Sequence, residues 1–188
     1  KASPSPSQTQ WWRGGQCARC GLSTTLAMLT QPVMACVALG ANLGDAVATV
    51  QRAITDLAAL PSTHVRRVSS LYRTAPFEAQ GPDFINAVVV METQLEPLAL
   101  LDALQSLEFK SGRERPYRNA PRTLDLDLIF HGDAQWNTPR LTLPHPRWAE
   151  RAFVVIPLAE VSPERVPQAL REAVKDQAIQ RLAGLPLP

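Results

Sequence analysis

One strand-like run limits the fold more than any other feature: residues 122–129 read Arg-Thr-Leu-Asp-Leu-Asp-Leu-Ile. Successive side chains of a β-strand point to opposite faces of the sheet, so the leucines share one face and Asp125 and Asp127 share the other. The two carboxylates would then stand about 6 to 7 Å apart along the strand. The run therefore predicts a strand that is buried on its leucine side and presents two parallel acids on its other side.

Hydrophobic periodicity upstream of this run predicts three further strands and two helices. Short apolar or β-branched stretches indicate strands over residues 33–39, 64–72 and 84–95, and the acidic run itself a strand over 124–130. Apolar residues at helical spacing indicate one helix that Pro61 ends and a second that begins at Pro97. The expected apolar faces are Val47, Val50, Ile54 and Leu57 in the first helix, and Leu98, Leu101, Leu104 and Leu107 in the second.

The resulting element order is βαββαβ, which is typical of a ferredoxin-like α/β (α+β) fold. We expect a mostly antiparallel sheet with the two helices packed on one face. A proline-rich segment over residues 139–157 follows, and then a C-terminal helix over residues 168–182.

The first 32 residues differ in composition from the rest. They open on a Ser-, Pro- and Gln-rich stretch and carry one C-x-x-C pair, Cys17 and Cys20, without the second pair that a four-ligand zinc site needs. We expect residues 1–32 to be a disordered leader or the product of a mis-set translation start, and residues 33–188 to form a single domain. With only Cys36 besides that pair, we expect a reducing, cytoplasmic compartment.

Charge and hydropathy argue against two classes of partner. The 19 basic and 17 acidic residues leave a formal net charge of +2, which does not suggest a nucleic-acid partner. No stretch approaches the 18 consecutive apolar residues of a membrane span. We therefore expect neither nucleic acid nor a membrane as a partner. We also expect the chain to be a monomer.

The paired acids admit two interpretations. Hard oxygen ligands on a rigid strand suit Mg²⁺, which typically takes one or two carboxylates together with substrate phosphates. On spacing alone, a solvated strand face whose acids pair with neighbouring arginines explains the pattern equally well. Four arginines within ten residues, Arg113, Arg115, Arg118 and Arg122, favour phosphate chemistry because the planar guanidinium matches phosphate oxygens.

A second pair of residues could bind a flat heterocycle. Phe84 and Asn86 lie two apart on a predicted strand and so share a face. One offers an aromatic plane for stacking and the other an amide with donors and an acceptor. A core phenylalanine and a strand-end asparagine would explain them equally well. Gly40 and Gly44, which flank the connection to the first helix, suggest no more than a strand-to-helix turn.

Taken together, four segments resemble the 6-hydroxymethyl-7,8-dihydropterin pyrophosphokinase family. They are VALGANLGD, YRTAPFEAQGPDFINA, GRERPYRNAPRTLDLDLIFHG and RLTLPHPRWAERAFVVIPLAE. The resemblance covers about residues 33–163. Two departures stand out: Asn119 and Ala120 replace the aromatic residue and glycine that often precede the Pro-Arg-Thr run, and Ala41 replaces a serine.

The resemblance implies a ferredoxin-like pyrophosphokinase domain that moves the diphosphate of ATP to a pterin hydroxymethyl group with two Mg²⁺ ions. It implies that Arg113, Arg122, Asp125 and Asp127 are catalytic and that the two aspartates hold the metal. The implied ATP-side residues are Gln105, Glu108, Arg113, Arg115, Arg122, Arg140, Thr142, His145 and Arg151. The implied pterin-side residues are Thr74, Ala75, Phe77, Phe84, Asn86 and Phe153.

Two other functions remain open at this point. A ferredoxin-like fold also serves RNA-binding modules, whose strands present aromatics for base stacking. A non-catalytic pterin-binding protein would keep Phe84 and Asn86 but would not need Asp125 and Asp127.

Overall fold

The structure is a computed structural model that describes residues 31–76, 81–112 and 123–183. Its strands are β1 (Val33–Ala41), β2 (Thr63–Val68), β3 (Leu71–Thr74), β4 (Phe84–Thr93), β5 (Asp125–His131), β6 (Trp136–Asn137), β7 (Thr142–Leu143) and β8 (Ile179–Ala183). Its helices are α1 (Ala46–Ala58), α2 (Pro97–Lys110), α3 (Ala152–Val161) and α4 (Gln168–Ala173). Of the predicted leader, residues 1–30 lie outside the described residues.

The main sheet has the strand order β5-β1-β4-β3-β8, with β2 pairing β4 next to β3. The paired strands run antiparallel. β2 and β3 together occupy the place of the second strand in the βαββαβ pattern, so the core order is that of a ferredoxin-like sheet. The fold class predicted from the sequence is confirmed.

The single strand predicted over residues 64–72 is two strands in the structure. Ser69, between β2 and β3, is fully buried and makes its backbone bond to the carbonyl of Val88. Its hydroxyl accepts from the amide of Val88 at 2.9 Å and donates to the carbonyl of Ser70 at 2.8 Å. A serine hydroxyl thus replaces one ladder bond, and the strand breaks where that happens.

Helices α1 and α2 cover one face of the sheet, as predicted. The α1 residues buried there include Val50, Ile54 and Leu57, and those of α2 include Leu100, Leu104 and Leu107. The predicted faces are slightly displaced, because Val47 is exposed, Leu98 and Leu101 are only partly buried, and Leu100 is fully buried. Each fully buried leucine contributes about 2 kcal/mol from removal of apolar surface from water.

Helix α3 covers the other face and was not predicted. It packs Val154, Val155, Leu158 and Val161 against sheet residues such as Ala38 and Val88. Because α3 is buried on most of its surface, its sequence lacks the alternation of apolar and polar faces that identifies a surface helix. Pro157 lies inside the helix and makes the segment read as a loop.

The predicted C-terminal helix over residues 168–182 is wrong beyond Ala173. The chain turns at Val174, which is buried, and returns as β8 to pair with the outer edge of β3. Tertiary pairing of a free sheet edge overrides the local helical pattern here.

Within the described parts of the chain, no helix combines the length and apolar character that crossing a membrane would need.

A hydrogen-bonded cluster around Glu160 ties α3 to β3 and β8. Glu160 Oε2 accepts from the backbone amide of Ser70 at 3.0 Å and from the hydroxyl of Tyr72 at 2.8 Å. Its Oε1 accepts from the Ser70 hydroxyl at 2.8 Å and from the Arg181 guanidinium at 3.1 Å. Burial raises the pKa of Glu160, but hydrogen bonds from Ser70, Tyr72 and Arg181 outweigh it and hold that pKa below its ordinary value. Burial, followed by the hydrogen bond to Glu160, raises the pKa of Tyr72 to about 12.

We predict that Glu160→Gln lowers the free energy of unfolding by about 2 kcal/mol at pH 7, because it weakens four charge-assisted hydrogen bonds. The folded pKa of Glu160 lies below its unfolded value of 4.5, so its stabilisation is complete above that pH and is lost as the pH falls further. Urea unfolding at pH 7 and at pH 3.5 should show the gap between wild type and variant narrowing in acid.

The matched control for this prediction is Glu172→Gln. Glu172 forms an exposed ion pair with Lys175 on the surface of the same C-terminal region, and such pairs contribute about 0.5 kcal/mol or less. Equal losses for the two variants, or a gap that widens in acid, would contradict the assignment.

Candidate active site

Four neighbouring strands place one residue each in a row across the α3 face of the sheet. The register pairs Gly40 of β1 with Asp125 of β5 on one side and with Asn86 of β4 on the other, and Asn86 in turn with Tyr72 of β3. Neighbouring strands lie about 4.8 Å apart, so Asp125 and Asn86 stand about 10 Å from each other. The row therefore joins the predicted acidic pair and the predicted aromatic–amide pair in one place.

The acidic pair lies on β5 as the alternation predicted. Leu126 and Leu128 are buried against α1 and α2, and Asp125 and Asp127 are half-buried on the opposite face. Asp127 Oδ2 lies 3.5 Å from the guanidinium Nη1 of Arg151, whose side chain is only 20% exposed. Arg151 thus balances part of the negative charge of the pair.

Glu108 supports the acidic strand from its outer edge. This α2 residue is 3% exposed, and its Oε1 accepts from the backbone amide of Leu126 at 2.8 Å. β5 is the edge strand of the sheet, so Glu108 satisfies an amide that no neighbouring strand can reach. Since Leu126 separates Asp125 from Asp127, this bond fixes the backbone between the two acids.

His145 is under the electrostatic influence of both acids and of two arginines, Arg147 and Arg151. Its backbone amide donates to the carbonyl of Ile129 at 3.0 Å, which anchors it beside β5. Burial lowers the pKa of His145, and although Asp127 and Asp125 act to raise it, Arg151 and Arg147 add to the lowering. The lowered pKa keeps the imidazole neutral at pH 7, so it adds no positive charge to the site.

The aromatic–amide pair is held by a hydrogen bond to β3. Asn86 is 3% exposed, and its Nδ2 donates to the hydroxyl of Thr74 at 2.9 Å. This bond turns the amide so that Oδ1 lies towards Gly40, where a Cβ atom would be 3.3 Å from that oxygen and 3.8 Å from Cδ1 of Phe84. The bare backbone of Gly40 therefore leaves open the space between the amide and the acids.

The first turn of α3 brings Arg151 and Phe153 to the same region. The Arg151 guanidinium carbon lies 5.5 Å from the centroid of the Phe153 ring, a cation–π contact. Phe153 is partly buried against the core between α3 and the sheet. One arginine thus touches both the acidic pair and an aromatic ring proposed for the heterocycle.

Other predicted site residues are placed on neighbouring elements or lie outside the described residues. Gln105 is exposed on α2, and Arg140 forms an ion pair with Asp102 of that helix. Thr142 lies in β7 opposite Asn137, and Ala75 is exposed directly after β3. Phe77, Arg113, Arg115 and Arg122 lie outside the described residues, as do Asn119 and Ala120.

Gly40 has a more central place in the site than its sequence context predicted. The prediction treated it as part of a strand-to-helix turn, whereas it lies inside β1 at the centre of the row. A glycine that interrupts an apolar strand often marks a close approach of backbone or ligand, and that signal was present.

Comparison with known proteins gives a consistent answer. A family model described as 7,8-dihydro-6-hydroxymethylpterin-pyrophosphokinase (HPPK) matches residues 36–163. A 2-amino-4-hydroxy-6-hydroxymethyldihydropteridine pyrophosphokinase of Synechocystis sp. is 46% identical over 132 residues, covering 70% of this chain and 68% of the relative. A protein of the same name from Pseudomonas aeruginosa is 42% identical over 155 residues, covering 79% and 96%.

Solved structures give the fold independently. A Plasmodium falciparum HPPK-DHPS A437G structure with SDX-DHP superposes with a TM-score of 0.60 at 15% identity, over 74% of this chain and 43% of that one. A second, with pteroate, gives a TM-score of 0.55 at 12% identity, over 73% and 41%. The chain spans about two fifths of those solved chains, and at this identity the likeness shows the fold alone. On the family model and the curated relatives, the chain belongs to the 7,8-dihydro-6-hydroxymethylpterin-pyrophosphokinase family.

Proposed function

We propose that this chain transfers the diphosphate of ATP to the hydroxymethyl group of 6-hydroxymethyl-7,8-dihydropterin and releases AMP. The observation that carries this proposal is the row of Asp125, Gly40 and Asn86 across three paired strands. It places two acids suited to phosphate chemistry within about 10 Å of an aromatic–amide pair suited to a flat heterocycle. A reaction between ATP and a pterin needs both sets on one face of one site.

The acidic pair fits Mg²⁺. Two half-buried carboxylates on one strand face are hard oxygen ligands at a fixed spacing. Among the described residues, no group of three or more acidic, histidine or cysteine side chains forms a closed cage, and Mg²⁺ characteristically binds through one or two carboxylates plus phosphate oxygens. Asp125 and Asp127 would hold two ions, which when bound would neutralise charge on the ATP phosphates.

In the proposed step, the pterin hydroxyl oxygen attacks the β-phosphorus of ATP. The bond from that phosphorus to the oxygen bridging the α-phosphorus breaks, AMP leaves with the bridging oxygen, and the hydroxyl proton passes to water. Phe84 and Phe153 would stack on the pterin, and Asn86 Oδ1 would accept a hydrogen bond from its edge. These residues raise the rate by holding the hydroxyl in line with the phosphate.

Positive charge near the acids would stabilise the transferring phosphates. Arg151 already lies beside Asp127, and it can turn to a phosphate oxygen when a cation takes its place at the carboxylate. We propose the same phosphate role for Arg113, Arg115 and Arg122, which the sequence places on the segment leading into β5. His145, held neutral, would contribute hydrogen bonds rather than charge.

The rival functions find less support. An RNA-binding module of this fold stacks bases on an open sheet face, whereas here α1 and α2 cover one face and α3 covers part of the other. A non-catalytic pterin-binding protein would not need the acidic pair with Arg151 beside it. Mg²⁺-dependent turnover separates that function from the proposed one.

We predict that Asp125→Asn and Asp127→Asn each lower turnover by about a hundredfold or more, because each removes a carboxylate aimed at the metal while keeping its shape. The assay incubates protein, ATP, Mg²⁺ and the reduced hydroxymethylpterin and separates the nucleotides. AMP is the expected product, and ADP in its place would overturn diphosphate transfer.

Asp133→Asn is the matched control for the acid variants. Asp133 follows β5 and is 98% exposed in an ion pair with Arg165, so its loss should leave turnover within about twofold of wild type. Near-native AMP release by either Asp125→Asn or Asp127→Asn would contradict the metal assignment.

We predict that Thr74→Val raises KM for the pterin about tenfold and changes KM for ATP little. The substitution removes the acceptor for Asn86 Nδ2, so the buried amide loses its fixed orientation, at a cost of about 1 to 3 kcal/mol for the unpaired donor. Initial rates with each substrate varied in turn measure the two constants.

Thr74→Ser is the matched variant for this experiment, since it keeps the hydroxyl and removes one methyl group. It should retain a pterin KM close to that of the wild type. If the serine and valine variants behave alike, the hydrogen bond from Asn86 does not orient the amide for the ligand.

A further inference from the structure

The side chain of Gln177 makes hydrogen bonds to the backbone on both sides of Arg151. Its Nε2 donates to the carbonyl of Glu150 at 2.8 Å, and its Oε1 accepts from the amide of Ala152 at 2.9 Å. Gln177 lies 26 residues further along the chain, in the connection between α4 and β8. The oxygen and the nitrogen of one side-chain amide therefore bond the two peptide units that flank Arg151.

The backbone at Arg151 forms a corner between two helical segments. Its amide donates to the carbonyl of Trp148 at 3.4 Å, and its carbonyl accepts from the amides of Val154 and Val155 at 3.0 and 2.9 Å. Arg151 has extended dihedral angles of −115° and 111° and joins a 3₁₀ turn, Trp148–Glu150, to the first residue of α3. The first amides of a helix have no partner within the helix. Within residues 123–183, the N-cap Arg151 makes no side-chain cap, and Gln177 supplies one from a distant segment.

The corner carries the residue that contacts both halves of the candidate site. The Arg151 guanidinium lies 3.5 Å from Asp127 and 5.5 Å from the centroid of the Phe153 ring. A shift of the backbone at Arg151 or Ala152 would move both contacts, because Phe153 follows directly in the first turn of α3.

The segment that carries Gln177 is itself anchored. Val174, three residues before it, is 1% exposed in the core under α3. Four residues after it, Arg181 donates to the hydroxyl of Ser70 at 2.9 Å and to Glu160, and β8 pairs with β3. Because the chain is anchored on both sides of Gln177, this side chain ties the backbone at Arg151 to a well-packed segment.

We propose that Gln177 is a positioning residue for the reaction, acting through Arg151. It would fix the backbone of Arg151, from which the guanidinium reaches Asp127 and, in the proposed reaction, the phosphates. This inference rests on the proposed function. Gln177 lies outside residues 36–163, so it belongs to a part of the chain that the family model does not match.

Gln177→Ala is expected to lower kcat/KM about tenfold, a common cost of removing a partner that orients a functional side chain. The control is Gln180→Ala, an exposed glutamine of β8 three residues further on, which should stay within about twofold of wild type. Steady-state rates of AMP release and melting temperatures are measured for both variants, each with the full chain.

A double-mutant cycle with Arg151→Ala separates positioning from general stabilisation. If Gln177 acts through Arg151, Gln177→Ala should change kcat/KM less than twofold in the Arg151→Ala background while lowering the melting temperature as it does in the wild type. If the tenfold loss persists in that background, Gln177 acts on stability or on other residues and the inference is overturned.

Gln177→Glu provides the test should the alanine variant not fold. It keeps an acceptor for the Ala152 amide, where negative charge near a helix N-terminus is tolerated, but cannot donate to the carbonyl of Glu150. A loss of about tenfold supports the inference, and rates equal to wild type overturn it. A wild-type protein that releases no AMP would refute the proposed function, whereas an active wild type with active Gln177 variants refutes this inference alone.

Discussion

Strand β1 is paired on both sides, with β4 along its whole length of Val33–Ala41 and with β5 along residues 35–40. The positions of the acids and of the amide depend on these two registers. A slip of one residue would turn every side chain of a strand to the opposite face, and would bury Asp125 and Asp127 against α1 and α2. The apolar residues of β4 and β5 on the α1–α2 face oppose that slip, so the hydrophobic core fixes the geometry of the polar row.

The negative charge of the acidic pair is partly balanced within the site. Asp125 and Asp127 project in parallel from one strand, and neighbouring like charges are unfavourable unless cations lie close by. Arg151 is the cation that the structure places beside Asp127, whereas burial and the adjacent arginines lower the pKa of His145 and keep it neutral. In the proposed reaction, a bound cation would add positive charge at these carboxylates.

The sequence predicted the features that follow from the local spacing of apolar residues. It did not predict those that depend on contacts with distant parts of the chain. Alternation alone placed Asp125 and Asp127 on the correct face, and helical spacing found α1 and α2. It failed for α3, which is apolar on most sides and contains Pro157, and for β8, whose strand conformation depends on pairing with β3. No local signal could identify Gln177, because its partners lie 25 and 27 residues away in the chain.

The site residues on the sheet and those at the start of α3 are therefore held by different interactions. The acids, Gly40 and Asn86 belong to paired strands with helices on both faces, where any movement breaks several ladder bonds at once. Arg151 and Phe153 stand at the start of α3, where two hydrogen bonds from Gln177 add to those of the Arg151 backbone. Gln177 adds a link from the segment before β8 to the start of α3. The arginine that contacts Asp127 therefore depends on two parts of the chain that lie far apart in sequence.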